Sequence, residues 1–173
     1  MKALEFWKTV TNDRANLLER LIGLLEEHEI RYCVIGGQAV NAYVEPVVTL
    51  DLDIVVAVDQ MELAREILGQ EFKLKEFPFS LNITVPGSDV RVQIQRNPEL
   101  YGIVDRASRK DVLGISLPVA ALPDLLRAKI EAAREPTRRG SKRLKDLSDI
   151  QRLMESYPEI DPLIPPDIRE KLL

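Results

Sequence analysis

The chain has 173 residues, 45 % of them hydrophobic, enough for one domain with a sizeable core and a helical appendage. A net charge of −4 argues against a generally basic nucleic-acid binder. No apolar run approaches the length of a membrane-crossing helix, and the first residues lack a basic-then-apolar signal pattern, so the reading is a cytoplasmic protein without a membrane partner. A lone cysteine, Cys33, excludes an internal disulfide and a Cys-cluster zinc site. A lone histidine, His28, excludes a multi-histidine metal site and gives no support to a Ser-His triad.

In chain order, Leu17, Leu18, Leu21, Ile22, Leu24 and Leu25 recur at helical spacing and predict an amphipathic helix ending near His28, whose imidazole suits a helix C-terminus. Tyr32–Ile35 reads as a short buried strand, with Cys33 placed for packing. Gly36-Gly37 then turns the chain into a helix of one or two turns over Gln38–Tyr43. After an irregular link at Glu45-Pro46, a strand runs from about Leu50 to Val58. Asp59 is placed to cap a helix from Met61 to Leu68 that stops at Gly69.

Leu81–Val85 and Asp89–Gln95 alternate apolar and polar residues around Pro86-Gly87-Ser88, the pattern of a hairpin. Val112–Leu117 adds an edge strand. The last third is helical: Pro123 and Asp124 open a helix bearing Leu125, Leu126, Lys129 and Ile130, which ends at Pro136. A polar loop over Thr137–Ser141 leads to a second helix from Lys142 to Glu155, with Leu144, Leu147, Ile150 and Leu153 as its buried stripe. A proline-rich tail starts at Pro158 and leaves room for a short helix at Asp167–Leu172. The predicted class is α/β (α+β), a small mixed sheet flanked by helices. Its division is a core over 1–118 and a helical part with the tail over 119–173.

Two features carry chemistry. Gly36 and Gly37 let backbone N–H groups at a helix start approach an anion, unless they serve only as a tight strand-to-helix turn. In the following strand, Asp51 and Asp53 point to one face, about 7 Å apart. Two carboxylates so placed repel, and one takes up a proton unless a cation lies between them. Alone, Asp-x-Asp also describes two solvated acids at a strand mouth; joined to the glycine turn, it describes both halves of a phosphate-and-metal site, for which Mg²⁺ (or Mn²⁺) is the suited ion. Neither G-x-G-x-x-G nor G-x-x-x-x-G-K-[ST] occurs, which removes the dinucleotide-binding and P-loop readings.

The last helices contribute cations. Lys129 can run its stem over apolar surface and bring its ammonium to a phosphate, or stand as a solvated helix lysine. Lys145–Asp149 and Lys142–Asp146 are spaced four residues apart, and such pairs add about 0.2–0.5 kcal/mol to a helix. The alternative has Lys145 aimed at phosphates, with Asp146 or Asp149 orienting it. Arg134, Arg138, Arg139, Lys142, Arg143 and Lys145 form a basic segment, either a solvated face or an anion-facing loop.

Gly36-Gly37-Gln38-Ala39, Thr49-Leu50-Asp51-Leu52-Asp53, Lys129 and Lys145-Asp146-Leu147-Ser148-Asp149-Ile150 together resemble the AbiEii-like nucleotidyltransferases of the DNA polymerase beta superfamily. The resemblance spans about Tyr32 to Leu153. It implies a helical C-terminal part closing over an NTP, Mg²⁺ at Asp51 and Asp53, and catalytic roles for Asp51, Asp53 and Lys129. Nucleotide contacts are implied for Gly36, Gly37, Gln38, Lys129 and Lys145. Relatives include toxins of toxin–antitoxin pairs, some acting on tRNA ends, which implies an RNA or tRNA acceptor and an antitoxin protein as candidate partners. Two positions depart from the family pattern. Many relatives carry an arginine where this chain has Val47, and the strand expected to hold a third carboxylate reads Arg91-Val92-Gln93-Ile94-Gln95, with Asp89 displaced to the hairpin end. Three readings follow: a nucleotidyltransferase, a nucleotide- or partner-binding protein on the same fold without turnover, and an RNA-binding module built on the basic segment.

Overall fold

The computed structural model describes residues 2–173. Its elements in order are helix α1 (Ala3–Val10), α2 (Leu17–Glu27), strand β1 (Tyr32–Ile35), α3 (Gly36–Tyr43), β2 (Asp51–Val56), α4 (Met61–Glu71), β3 (Lys73–Phe77), β4 (Ser80–Thr84), β5 (Arg91–Gln95), α5 (Ile103–Arg106), β6 (Ser108–Val112), β7 (Ile115–Val119), α6 (Leu122–Arg134), α7 (Gly140–Ser156) and α8 (Pro166–Arg169). The strands form one mixed seven-stranded sheet in the order β3-β4-β5-β2-β1-β7-β6. The β1–β2, β3–β4, β4–β5 and β6–β7 pairs are antiparallel, while β2–β5 and β1–β7 are parallel.

The two faces of the sheet differ because side chains alternate along each strand. One row across it, Leu52, Val92, Ile83 and Leu74, is set by the pairing register and points toward α4. There Leu74 Cδ1 lies 3.4 Å from where a Cβ on Gly69 would stand. This explains why α4 runs through Gly69 to Glu71 instead of stopping at it: the glycine is a place of close approach for β3, not a helix end. The helix also starts differently from the prediction. A 3-10 turn over Val58–Gln60 precedes it, no side chain caps it, and Asp59 pairs with Arg31 at 3.0 Å.

The neighbouring row on the opposite face is Ile35, Asp53, Gln93, Asn82 and Lys75. Helices α3, α6 and α7 pack together, with α3 resting on β1 and β2. Over β5, β4 and β3 this face is half-buried to exposed, with Arg91, Thr84, Lys73, Lys75 and Phe77 all exposed. The boundary between covered and open sheet falls at β2, where the two aspartates stand.

Three further differences from the sequence reading have local causes. Trp7 is 3 % exposed and anchors the unpredicted α1. The charged strand β3, Lys-Leu-Lys-Glu-Phe, carries too little apolar character to be read as one. The single strand expected over Val112–Leu117 is a hairpin, turning at Leu113 and Gly114 with φ of 56° and 83°; a leucine in the left-handed region gives no turn signal in sequence. His28 is the exposed C-terminal cap of α2, as predicted. Among the described residues, no helix is long and apolar enough to cross a membrane.

Candidate nucleotide and metal site

Gly36 closes β1 and opens α3 with φ of +70°, a conformation that favours glycine. It is also fixed by contact: a Cβ here would collide with Oδ2 of Asp53, the register partner of Ile35. The glycine turn is thus laid directly on the second aspartate. The first N–H groups of α3 have no intrahelical partner and add the positive end of the helix dipole there. At Gly37 a Cβ would stand 3.5 Å from the Lys145 ammonium and 3.6 Å from Thr49 Cγ2. Phosphate at this turn would meet glycine backbone and the Lys145 ammonium together.

Thr49 ties the surroundings into one unit. Its hydroxyl accepts from Lys145 Nζ at 3.3 Å and from the Asp51 N–H at 3.2 Å. Its carbonyl accepts from the Trp7 indole N–H at 2.8 Å. Helix α1 therefore buttresses the start of β2, and α7 is pinned to it from the other side.

Asp51 and Asp53 are both half-buried and share one face, as their spacing requires. Burial pushes the Asp53 carboxyl up to about 6; the charge of Asp51 adds to this, while Lys129, Lys142 and Lys145 oppose it. Asp51 faces cations on both oxygens. Arg91 Nε lies 2.8 Å from Oδ1, and Lys142 Nζ lies 3.9 Å from Oδ2. Among the described residues, no three His, Cys, Asp or Glu side chains gather as a metal cage. The donor set is two carboxylates, one of them disfavoured as an anion until a cation joins it. That suits Mg²⁺, which is commonly held by one or two carboxylates together with substrate phosphates.

Other predicted residues lie elsewhere than expected. Lys129 was expected to reach a triphosphate, but its ammonium is buried between two carboxylates, 3.1 Å from Asp146 Oδ1 and 2.8 Å from Asp149 Oδ2. Burial alone would lower its pKa; Asp149 and Asp146 outweigh that and hold it above the ordinary lysine value. Arg138 and Arg152 close the cluster on the outer oxygens of Asp146 and Asp149 at 2.8 and 2.9 Å. Asp146 and Asp149 therefore hold Lys129 rather than orient Lys145. The expected pairs Lys142–Asp146 and Lys145–Asp149 do not form, because both lysines reach across to β2 and its approach loop. Gln38, expected among the nucleotide contacts, is 2 % exposed, so its side chain belongs to the interior and the backbone at its helix turn is what remains for a ligand.

The third-acid position is answered by the register. Gln93 stands beside Asp53 on β5, and Asp89 lies before the strand, accepting from Asn12 Nδ2 at 2.7 Å. Arg91 as a partner of Asp51 was missed, since a parallel pairing between distant strands leaves no local trace. The basic segment is largely consumed within the protein: Arg134 pairs with Asp167, Arg138 with Asp146, and Arg143 donates to the Glu135 carbonyl. Cys33 is fully buried, and burial pushes its thiol up to about 12, which leaves it inert.

No protein-family model matches the sequence, and no curated protein does. Solved structures do. The antibiotic-resistance factor ANT(2'')-Ia matches with a TM-score of 0.65 at 13 % identity over 90 % of this chain and 91 % of that one. The same enzyme in complex with adenylyl-2''-tobramycin gives a TM-score of 0.63 over 90 % and 97 % of the two chains. The lincosamide antibiotic adenylyltransferase LnuA, bound to lincomycin, gives 0.53 at 13 % identity over 80 % and 97 %. An antigenic nucleotidyltransferase-like protein from Paracoccidioides brasiliensis gives 0.51 at 19 % identity over 86 % and 75 %. At such identities the likeness is one of architecture: the chain has the fold found in these nucleotidyltransferases.

Proposed function

We propose that the protein is a metal-dependent nucleotidyltransferase of AbiEii-like type, moving an NMP from an NTP to an acceptor hydroxyl. The observation that carries this reading is the seating of the Gly36 turn on Asp53 with the Lys145 ammonium beside Gly37. Backbone suited to an anion, two carboxylates suited to a cation and the Thr49-bound ammonium of Lys145 thus lie within one small volume, which supports this reading. Asp51 and Asp53 would hold Mg²⁺ (or Mn²⁺), which when bound supplies charge neutralisation at the phosphates. The acceptor hydroxyl oxygen bonds to the α-phosphorus and its proton passes to solvent, the bond to the bridging oxygen breaks, and pyrophosphate leaves. The chain's own part is positioning: the glycine turn and Lys145 receive phosphate oxygens, Lys142 shares their charge, and Lys129 acts from the interior as a positioning residue. The core over 1–118 contributes the aspartates and the helical part over 119–173 the lysines.

Displacement at phosphorus is roughly in line, so nucleophile and leaving group lie on opposite sides. The glycine turn lies on the β1 side of β2. The acceptor therefore comes over the open face of β5 and β4, where Arg91, Gln93 and Asn82 line its path. Exposed Lys73 and Lys75 beyond them make this a face for a neutral or anionic acceptor, such as an RNA end, and a poor one for a polycation.

The test is transfer of label from α-labelled NTPs with Mg²⁺ and total RNA or cell extract as acceptor. Asp51→Ala and Asp53→Ala should each abolish labelling, Gly36→Ala should reduce it at least a hundredfold, and Lys145→Ala should raise KM for NTP about tenfold. Undiminished labelling by Asp51→Ala would remove the assignment. One observation favours a second reading, nucleotide binding without turnover: Gln93, which takes up no proton usefully, stands where a third acid would sit. Mg²⁺-dependent NTP binding without pyrophosphate release, across RNA, protein and small-molecule acceptors, would select it.

A further inference from the structure

We infer that Arg91 is a built-in competitor of the divalent cation at Asp51, so that the free site binds metal weakly and takes it up together with the nucleotide. This rests on the metal-site reading above and assigns Arg91, there only a residue beside the acceptor's path, a part in metal uptake.

Arg91 and Asp51 are register partners on the parallel strands β5 and β2, so their side chains leave the sheet side by side on the same face. Arg91 Nε stands 2.8 Å from Asp51 Oδ1, an ion pair at contact distance. Lys142 Nζ, 3.9 Å from Oδ2, takes the other side. A metal ion and a guanidinium at 2.8 Å compete for the same side of that oxygen, and a dication brought beside two monocations is repelled by both. A guanidinium keeps its charge at any working pH, so the competition persists across the pH range.

The pair is also built to yield. The Arg91 side chain is 59 % exposed and that of Asp51 24 %. Strand β5 keeps its hold through Val92 and Ile94 on the opposite face, so the guanidinium can swing over the open sheet without disturbing the core. Exposed pairs are weak, and an incoming metal–nucleotide complex brings phosphate oxygens that offer the freed Arg91 and Lys142 new anionic partners. The metal alone brings none. The nucleotide is thus what makes metal uptake favourable.

The measurement is Mn²⁺ binding by electron paramagnetic resonance of the full chain, without and with a non-hydrolysable ATP analogue. Unaltered protein, Arg91→Gln, Lys142→Gln and Arg91→Gln/Asp51→Asn are compared, each checked for folding by circular dichroism. Without nucleotide, Arg91→Gln should bind Mn²⁺ about tenfold tighter than the unaltered protein. Lys142→Gln, lacking the direct contact, should gain clearly less, and adding Asp51→Asn should erase the gain. With the analogue present, the advantage of Arg91→Gln should fall below about twofold. Equal nucleotide-free affinity of unaltered protein and Arg91→Gln, with analogue-dependent binding in both, would overturn the role of Arg91 while leaving the metal site standing. Equal gains from Arg91→Gln and Lys142→Gln would reduce the effect to general charge and overturn direct competition. No Mn²⁺ binding by any variant with or without the analogue would overturn the metal-site reading and this inference with it.

Discussion

Asp53 occupies the most constrained position of the site, between Ile35 and Gln93 in the sheet and under the backbone of Gly36. Its carboxyl titrates at about 6, chiefly through burial and then through Asp51, against an ordinary value of 3.8. Between those values the folded chain binds more protons than the unfolded one, so the Asp53 contribution to stability is fully present below about pH 4 and is lost as pH rises through 6. At neutral pH the metal-free protein carries the penalty of an ionised, half-buried carboxylate. Asp53→Asn should therefore raise the stability of metal-free protein at pH 7.5 by about 1–2 kcal/mol, a few degrees in Tm, with the gain vanishing near pH 4. Thermal melts at three pH values check this. A loss of stability that is the same at every pH would show that Asp53 is held by contacts other than those seen. The variant should also be inactive, a trade of function against stability located in one atom pair.

At the scale of elements, α6 and α7 are joined by charge as well as by apolar packing. The buried face of α7 is Asp146, Asp149, Ile150 and Leu153, and Leu144, expected in its apolar stripe, is 68 % exposed. A reading by hydrophobic period places leucine inward and aspartate outward; Lys129 on the facing helix reverses that, because two carboxylates meet an ammonium there and Arg138 and Arg152 close the remaining oxygens. Removing one member of such a buried group leaves charge uncompensated, at a cost of about 3–5 kcal/mol. Lys129→Met should lose an amount in that range by urea denaturation, and adding Asp149→Asn should restore a substantial part of it. If the two losses simply add, the cluster is not a coupled unit. In β2, by contrast, alternation along the strand is enough to set Asp51 and Asp53 on one face.

For the molecule as a whole, the sheet is covered by α3, α6 and α7 on one half of its site face and open on the other, with the aspartates at the border. On the proposed function, a nucleotide at that border would bridge α3, β2 and the first turns of α7 without reaching beyond β1. Hydrogen exchange should therefore slow at residues 36–39, 51–53 and 140–146 on addition of Mg²⁺ and a non-hydrolysable ATP analogue, while the β6–β7 hairpin stays unchanged. Protection in the hairpin without protection at the glycine turn would place the ligand elsewhere.

Those short signals that act over a few residues are determined by the sequence alone. They are the leucine spacing of α2, the Gly-Gly turn into α3, the same-face aspartates of β2, the β4–β5 hairpin at Pro86-Gly87 and the helices bearing Lys129 and Lys145. Each rests on periodicity or on backbone freedom at a named residue, and neither needs a distant partner. Tertiary structure decided the rest. It paired β5 beside β2 in parallel, which sets Gln93 against Asp53 and Arg91 against Asp51. It turned Lys129 inward to Asp146 and Asp149, and carried Lys142 and Lys145 across to β2 and Thr49. The reason is physical: the partner of a charge is chosen by distance in space, and pairings separated by tens of residues leave no mark on the spacing of either strand or helix.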